Sequence, residues 1–487
     1  MHSACSTTPS PTAGHPPSQT QLSVLHQIVE NKIGDLIKLR GTQGQYLPAF
    51  VIRAFQKFRE CGDPRFGYVS IDCAKCGELL AVPLSCKQRA FCPRCLQRRM
   101  IDSGTFITER IIGDTPVRHF VLTFPPPLRQ ALTYNHALLA KLVNASVKVI
   151  LKFLRRKAKK LLGLKYVNDA FPGAISSIHR CSSNLDANVH LHVMVTDGVF
   201  VRDEHGGPVS FRELPPPTDD EIAEVAWRIC RRTTDILRAS GLWRDIKTNS
   251  GDTSATVRKS TSTPARQIRG VLSLGPQSGE REVTYFGRAA GREQGDQGGY
   301  SFDLYAKRAI ASGDHKGLKK LADYMFHPPF TDRQLSLTPD GRVMLKQDRP
   351  WQNKTEPVFF DQLEFLIKMI PLVPRPRSKT VRFHGVYAPN ATLRDEVLPK
   401  VKVADPESSS ESSASSNRSR RMSWVEMLKR DYGVDLSRCP HCSSETRVFV
   451  KIPPWTVRRT ILHGAGLAGD SHDPPPTHTP DYRASVQ

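Results

Sequence analysis

The stretch Asn188-Val-His-Leu-His-Val-Met-Val195 decides the fold, because polar and apolar side chains alternate along it as far as Val193. Every odd position from 189 to 195 is apolar, whereas Asn188, His190 and His192 occupy even positions. Successive side chains of a β-strand point to opposite faces, so this alternation predicts a half-buried strand with both histidines on one face. Two imidazoles placed in this way can share a divalent ion, although the pattern His-x-His also occurs among ordinary histidines.

Periodic segments on both sides of this strand indicate the fold class. Apolar runs predict strands at residues 117–123 and 174–179, and helical spacing predicts helices at 131–162 and 219–239. Strands and helices in this mixed order favour an α+β fold. We expect an antiparallel sheet with flanking helices, the histidines on a central strand, and a small four-cysteine zinc module before it.

Cysteines cluster before the first of these strands. Cys73-x2-Cys76 and Cys92-x2-Cys95 are separated by fifteen residues, a spacing at which two cysteine pairs close a tetrahedral zinc site. Four thiolates leave no open position on the ion, so this site would be structural. Cys86 lies between the pairs and is an alternative ligand.

A further cysteine pair lies near the C-terminus. Cys439-Pro-His-Cys442 supplies only half of a zinc site, so the sequence leaves open whether this pair binds a metal. His463 is a candidate for an additional ligand.

Composition points to a polyanionic partner. The chain has 70 Lys and Arg against 47 Asp and Glu, a formal net charge of +23, and nucleic acid is the first expectation. No run of apolar residues is long enough to span a membrane, so no membrane partner is expected. The clustering of the 11 cysteines, with no secretory signal before them, favours metal binding in a reducing cytoplasm.

Changes in composition divide the chain into segments. We expect a disordered N-terminus at 1–21, a helical and zinc-binding domain at 22–112 and a catalytic domain at 115–400. A Ser-rich linker at 403–422 then leads to a small module with the second cysteine pair at 423–463 and a disordered tail at 464–487.

The order of FVLTFP at 120–125, HLH at 190–192 and a later tyrosine resembles the HUH endonuclease superfamily. Over residues 22–463 the chain is more closely similar to the IS91 family of rolling-circle transposases, which includes the common-region elements. The similarity is carried by SCKQRAFCPRC, NVHLHVMVTDGVF, LPPPTDDEIAEVAWRICRRT, LADYMFHPPF, LEFLIKMIPLVPRPR, RFHGVYAPN and CPHC.

This resemblance implies that Tyr324 is the nucleophile. From the residues themselves, a helix is predicted at 314–326, with Asp314 as its N-cap and Tyr324 on the flank of an apolar stripe from which it reaches a cleft. The alternative role for Tyr324 is that of a boundary side chain that merely packs. Tyr305, on a predicted strand, is the next candidate for the nucleophile.

The resemblance also implies the cofactors. A catalytic Mg²⁺ or Mn²⁺ would be held by His190 and His192, although neutral imidazoles suit zinc at least as well. The third ligand is open among His179, Asp186 and His327. The zinc-binding domain of the family matches residues 73–95 and implies structural zinc there.

The implied activity is rolling-circle DNA transposition. The enzyme would nick single-stranded DNA at the element's ends through a 5′-phosphotyrosine intermediate and transfer the strand to a target. Some relatives carry a second tyrosine where this chain has Pro328, so a lone tyrosine must either be used again or be complemented by a second protomer of a homo-oligomer.

Two alternatives to this activity remain. A plasmid replication initiator or relaxase would use the same site, and a non-catalytic zinc-dependent DNA-binding protein or inactive transposase copy would keep only the binding. The second is raised by Asp323, which stands where many relatives have arginine.

Overall fold

A computed structural model describes residues 23–63, 66, 68–77, 79–203, 207–246, 266–273, 279–291, 299–347, 356–399, 429, 435, 437–439, 441–446 and 449–450 of the chain. The segments 1–21, 403–422 and 464–487, for which the sequence predicts disorder or a linker, lie outside the described residues, as does His463.

The helices that the structure describes are, in chain order, α1 (Val24–Thr42), α2 (Ala49–Arg59), α3 (Pro93–Ile107), α4 (Pro126–Tyr134), α5 (His136–Leu162), α6 (Asp219–Ala239), α7 (His315–Phe326), α8 (Gln362–Met369) and α9 (Arg394–Val397). The segment expected as one helix at 131–162 is divided into α4 and α5 at Asn135. Its side chain accepts a hydrogen bond from the Leu138 amide and thereby begins a new helix.

The strands are β1 (Tyr68–Asp72), β2 (Leu79–Pro83), β3 (Val117–Thr123), β4 (Ala170–Phe171), β5 (Gly173–Cys181), β6 (Ala187–Thr196), β7 (Gly198–Arg202), β8 (Val209–Glu213), β9 (Trp243–Asp245), β10 (Gln267–Ser273), β11 (Glu280–Ala289), β12 (Tyr300–Ile310), β13 (Leu335–Leu337), β14 (Val343–Leu345), β15 (Val358–Phe360), β16 (Val381–Gly385) and β17 (Phe449–Val450).

The chain divides into two compact units, each made of separate stretches of sequence. Unit 1 comprises residues 1–88, 332–366 and 421–487, and unit 2 comprises residues 89–331 and 367–420. Residues 332–366 therefore belong to unit 1, although the sequence places them inside the catalytic domain.

Unit 2 is built on an eight-stranded sheet in the order β16-β5-β6-β3-β12-β11-β10-β9. All of its pairs are antiparallel except β11 with β12, which is parallel. The predicted α+β class with a large antiparallel sheet and flanking helices is confirmed, and the histidine-bearing strand β6 lies inside the sheet between β5 and β3.

Both faces of this sheet are covered by helices. The apolar side chains at odd positions of β6 belong to a buried cluster with residues of α5 and α6. On the opposite face Met194 and Ile175 join a second cluster with Leu318 and Met325 of α7. The prediction of a half-buried strand is therefore wrong for most of β6, because α7 covers the face that bears the histidines.

A glycine allows the closest approach of a helix to this sheet. Gly287 on β11 lies so near α6 that a Cβ atom there would come within 2.1 Å of the Trp227 amide nitrogen. A side chain at this position would push the helix away from the sheet.

Unit 1 is assembled from short elements. The hairpin β1–β2 is extended by β17, which pairs antiparallel with β1, and β13, β14 and β15 form a second small sheet. The pairing of β17 with β1 brings residues 449–450 beside residues 70–71 within this unit.

Candidate functional site

Strand register brings three histidines of unit 2 together. His179 on β5 is paired directly with His190 on β6, and His192 lies two residues further along the same face. One ligand nitrogen from each of the three lies within 4.8 Å of the others. Of the three candidates for a third ligand, the structure thus places His179 beside the predicted pair.

Hydrogen bonds from His179 and His190 to backbone carbonyls show which ring nitrogens remain available to a metal ion. The Nε2 atom of His179 donates to the Met325 carbonyl at 2.8 Å, and Nδ1 of His190 donates to the Asn188 carbonyl at 2.8 Å. A carbonyl oxygen only accepts, so Nδ1 of His179 and Nε2 of His190 carry lone pairs. Those lone pairs are suited to bind a cation.

His192 has a histidine as its outer partner. Its Nδ1 lies 2.9 Å from Nε2 of His119, and both side chains are buried. If His192 uses Nε2 as a ligand, its Nδ1 carries the proton and donates to His119, which fixes the ring. His119 lies on β3 and was not singled out in the sequence; its place two residues before Val121, the pairing partner of His192, is the signal that a register prediction would have used.

Helix α7 carries Tyr324 over the histidines. The predicted N-cap is confirmed, since the Asp314 side chain accepts from the Gly317 amide, and Leu318, Leu321, Ala322 and Met325 form the buried stripe. The Tyr324 ring centre lies 5.3 Å from that of His192 at 80° and 6.0 Å from that of His119 at 84°. The Tyr324 ring is thus nearly perpendicular to both imidazole rings and packs against them edge to face.

The remaining sequence candidates lie in different places. His327, just after α7, has its ring centre 5.4 Å from that of His179 and 5.6 Å from that of Tyr324. The Asp186 carboxylate is exposed and accepts a hydrogen bond from Lys368 at 2.7 Å. Tyr305 lies on β12, two strands from β6 in the sheet.

Asp323 faces away from this site toward helix α3. Its carboxylate accepts a hydrogen bond from Lys319 one turn earlier, at 2.5 Å. A Cβ atom at Gly104 of α3 would come within 2.7 Å of the same carboxylate. The acidic charge next to Tyr324 is therefore paired and turned toward a neighbouring helix.

Burial keeps the three clustered histidines neutral. It lowers the pKa of His179 well below its ordinary value, and the nearby charges of His190 and His327 lower it further. Burial also lowers the pKa values of His190 and His192, followed for His192 by the charge of His179. Unprotonated imidazoles are the form that binds metal ions.

Two arginines stand near the cluster. Burial and the charge of Arg308 lower the pKa of His119 to about 4, and the charge of Arg129 contributes to the lowered pKa of His190. Arg129 donates from Nε to the Phe124 carbonyl. Two positive charges therefore lie close enough to the site to act on its histidines.

The structure corrects the expected grouping of the cysteines. Cys73 and Cys76 are not gathered with Cys92 and Cys95; in unit 1 their sulfur atoms lie within 4.8 Å of those of Cys439 and Cys442. The physical reason is that β17 pairs with β1, which ends at Asp72, so the C-terminal cysteine pair is brought to the turn that holds Cys73.

The other cysteines of this segment lie on both sides of the boundary between the units. Cys92 and Cys95 are buried at the beginning of α3 in unit 2, with Cys92 as its N-cap residue. In unit 1 the amide of Cys86 donates to the Cys61 sulfur at 3.3 Å. Cys61 was not identified from the sequence, because it lies outside the Cys-x2-Cys pattern.

Both sets of ligands fit a metal by their chemistry. Three neutral imidazoles are typical of first-row transition metals, and four cysteine sulfurs are typical of zinc.

Among the described residues no helix is both long and apolar enough to cross a membrane.

Comparison with known families gives two matches. Residues 31–124 match the transposase zinc-binding domain model Zn_Tnp_IS91, which spans the first cysteine pairs. Residues 173–394 match the transposase model Y2_Tnp, which spans the three clustered histidines and Tyr324. Neither the comparison with curated proteins nor that with solved structures gave a match. The two family matches, in the order zinc-binding domain and then transposase domain, support an IS91-like transposase with an N-terminal zinc-binding domain.

Proposed function

We propose that this transposase nicks single-stranded DNA at the ends of its element with Tyr324 and transfers the strand by rolling-circle transposition. The observation that carries the proposal is the position of the Tyr324 ring, 5.3 Å from the ring of His192 in the three-histidine cluster. A transposase domain implies a DNA partner and DNA strand transfer. The role of Tyr324 as the nucleophile is our proposal beyond what the family match implies.

The proposed chemistry is an exchange of one phosphodiester for another. The Tyr324 phenol oxygen attacks the scissile phosphorus, and the bond from phosphorus to the 3′ oxygen breaks. The phenol loses its proton, and the departing 3′ oxygen gains one. Because the phosphotyrosine keeps the bond to the 5′ end, the DNA can be passed to a target without another energy source.

The histidines would hold the ion that serves this reaction. A divalent ion bound by His179, His190 and His192 would polarise the scissile phosphate and offset its negative charge. Cations beside the cluster, Arg129 and Arg308, would contact the DNA phosphates. His119 would act as a positioning residue, since it accepts the proton of His192 Nδ1 and so orients that ring.

The decisive experiment is a test for a covalent adduct. Purified full-length protein is incubated with labelled single-stranded oligonucleotides from the element's ends and Mn²⁺ or Mg²⁺. We expect a protein–DNA adduct that Tyr324→Phe and His190→Ala/His192→Ala abolish. Tyr305→Phe is the matched control, because it removes a hydroxyl from the same sheet face without touching the proposed nucleophile.

The outcomes separate the competing functions. DNA binding with no adduct under either metal would support a non-catalytic zinc-dependent DNA-binding protein or an inactive copy. An adduct that survives Tyr324→Phe but not Tyr305→Phe would move the nucleophile to β12. Double-stranded oligonucleotides of the same sequence test the preference for single strands.

The inactive-copy alternative has its own test at Asp323. Since Lys319 already pairs with this carboxylate, Asp323→Arg should leave adduct formation unchanged or reduce it. A clear increase would show that the acidic residue is a defect acquired beside the site.

Three further expectations follow from the proposal. With Pro328 in place of a second tyrosine, a second protomer would supply the nucleophile for a second strand, so mixing Tyr324→Phe into the unaltered protein should lower strand transfer more steeply than adduct formation. Since the substrate is the element's own DNA, a cytoplasmic location is expected. Because the net charge is +23, DNA binding should weaken steeply with salt.

A further inference from the structure

We propose that Cys73, Cys76, Cys439 and Cys442 bind one zinc ion that joins the two ends of unit 1. The zinc-binding domain match ends at residue 124 and so contains only the first two of these residues. The other two lie 363 and 369 residues further along the chain from their nearest sulfur partners.

The sulfur positions fit a tetrahedral zinc site. Cys73 Sγ lies 3.5 Å from Cys442 Sγ, and Cys76 Sγ lies 3.6 Å from Cys439 Sγ. Zinc–sulfur bonds of about 2.3 Å in a tetrahedron place sulfur atoms about 3.8 Å apart. A disulfide would need about 2.05 Å, so the arrangement corresponds to a shared ion rather than to two disulfide bonds.

Both cysteine pairs lie in turns of the same backbone form. The Gly77 amide donates to the Cys73 carbonyl at 3.0 Å, and the Ser443 amide donates to the Cys439 carbonyl at 2.9 Å. The residue after the second cysteine has a positive φ in each turn, 70° at Gly77 and 56° at Ser443. Two like turns facing each other present four sulfur atoms to a common centre.

The cross-pairing of the sulfurs has the symmetry of such a site. The first cysteine of each turn lies beside the second cysteine of the other, as in two knuckles related by a local twofold axis. By contrast, Cys92 is the N-cap residue of helix α3 and Cys95 lies within its first turn, so this pair has a different local form.

A serine hydroxyl lies beside two of the ligands. The Ser444 hydroxyl lies 3.0 Å from Cys73 Sγ and 2.9 Å from Cys442 Sγ. Both sulfurs belong to the proposed zinc ligands, one from each turn. A hydroxyl that donates to ligand sulfur is the kind of outer contact that orients metal ligands.

The ion would make the C-terminal segment part of the N-terminal zinc module. Since β17 also pairs with β1, the segment is attached by backbone hydrogen bonds as well as by metal ligands. A link that closes a long stretch of chain removes much freedom from the unfolded state. Removal of the C-terminal cysteines should therefore cost the N-terminal cysteines their zinc.

Zinc content tests the shared site without reference to DNA cleavage. We expect Cys439→Ser/Cys442→Ser and Cys73→Ser/Cys76→Ser each to lose one zinc per chain, and the fourfold variant to lose no more than either. Cys181→Ser, which changes a cysteine of strand β5, is the control and should keep all zinc. Full zinc content in Cys439→Ser/Cys442→Ser, with loss of the same ion in Cys92→Ser/Cys95→Ser, would overturn the proposal.

Alkylation of the unaltered protein gives a second test that does not depend on whether variants fold. Cys76 is exposed, so only a bound metal would protect it from a thiol reagent. We expect Cys76, Cys439 and Cys442 to be protected together and to become reactive together when a chelator removes zinc. Reaction of Cys439 and Cys442 at full zinc content would overturn the proposal, whatever the outcome of the cleavage assay.

Discussion

The histidine cluster and the cysteine cluster both gather metal ligands, but across very different lengths of chain. His179 and His190 belong to adjacent strands joined by one tight turn, in which the Leu185 amide donates to the Ser182 carbonyl. Cys76 and Cys439 are 363 residues apart and meet only through the fold of unit 1. Residues that are close in sequence therefore form the histidine cluster, whereas the cysteine cluster combines residues that are distant in sequence.

The two groups also differ in charge and in what they leave open. Three neutral imidazoles under a tyrosine leave room on an ion for a phosphate, as a catalytic site requires. Four thiolates complete the coordination of zinc and leave no such room. This contrast predicts that variants of the two groups have separate consequences.

The largest expected effect is loss of the histidine pair. His190→Ala/His192→Ala should reduce adduct formation by on the order of 10²–10³-fold or more, because the phosphate loses its electrostatic stabilisation. The zinc content should remain that of the unaltered protein. Adduct yield on labelled oligonucleotides and zinc quantification on the same preparation measure both quantities.

The matched control for this experiment is the cysteine pair. Cys439→Ser/Cys442→Ser should lose zinc and keep the Mn²⁺ affinity of the histidine cluster, since all its histidines lie in unit 2. If either variant lost both metals, the two sites would not be independent and the contrast would fail.

The sequence predicted what depends on local pattern. Strand β3 and helix α6 have the predicted bounds, Asp314 caps α7, and the alternation of β6 places His190 and His192 on one face. The third imidazole, His179, required the register of a hairpin. The two strands were predicted from the sequence, but their register, which pairs His179 with His190, was not.

What the sequence could not supply depends on contacts between distant segments. The sequence suggested one zinc site formed by Cys73, Cys76, Cys92 and Cys95, because a spacing pattern relates only cysteines that are close together in the chain. The pairing of β17 with β1 replaces two of those ligands by Cys439 and Cys442. The burial of the histidine-bearing face of β6 likewise depends on its packing against α7, which the sequence of the strand alone does not predict.

The next largest effect should come from His119. His119→Ala leaves Nδ1 of the buried His192 without its partner, so Mn²⁺ affinity should fall by about 10–100-fold. His119→Gln keeps a hydrogen-bonding group and should restore part of that affinity. Mn²⁺ titration followed by electron paramagnetic resonance distinguishes this from general unfolding, which would show in the thermal transition.

An unchanged Mn²⁺ affinity in His119→Ala would mean that His192 is oriented without this contact. A loss that His119→Gln does not restore at all, with an unaltered melting temperature, would indicate that imidazole itself is needed.

A smaller effect should separate Mn²⁺ from Mg²⁺. Three imidazole nitrogens bind Mn²⁺ more strongly than Mg²⁺, which prefers oxygen ligands, so half-maximal adduct formation should need on the order of tenfold less Mn²⁺. Titration of each metal in chelator-treated protein that keeps its structural zinc gives the comparison. Equal requirements would point to an oxygen ligand beyond the three histidines.

The smallest predicted effect concerns the two turns of the cysteine cluster, and it tests whether they are equivalent. Ser443 has φ 56°, a conformation that costs a residue with a side chain about 1 kcal/mol or more relative to glycine. Ser443→Gly should therefore stabilise the zinc-bound protein by up to about 1 kcal/mol, seen in thermal unfolding and as slower loss of zinc to a chelator.

Gly77→Ala should change stability by a similar amount in the opposite direction. A Cβ atom at Gly77 would meet nothing within 4 Å, so the cost would come from its φ of 70° and not from a clash. If the zinc joins both turns, each substitution should change the release of the same ion. If Gly77→Ala speeds zinc release while Ser443→Gly leaves the release rate unaltered, the C-terminal turn does not hold that ion. If the two substitutions shift the release rate of one ion in opposite directions, both turns contribute ligands to it.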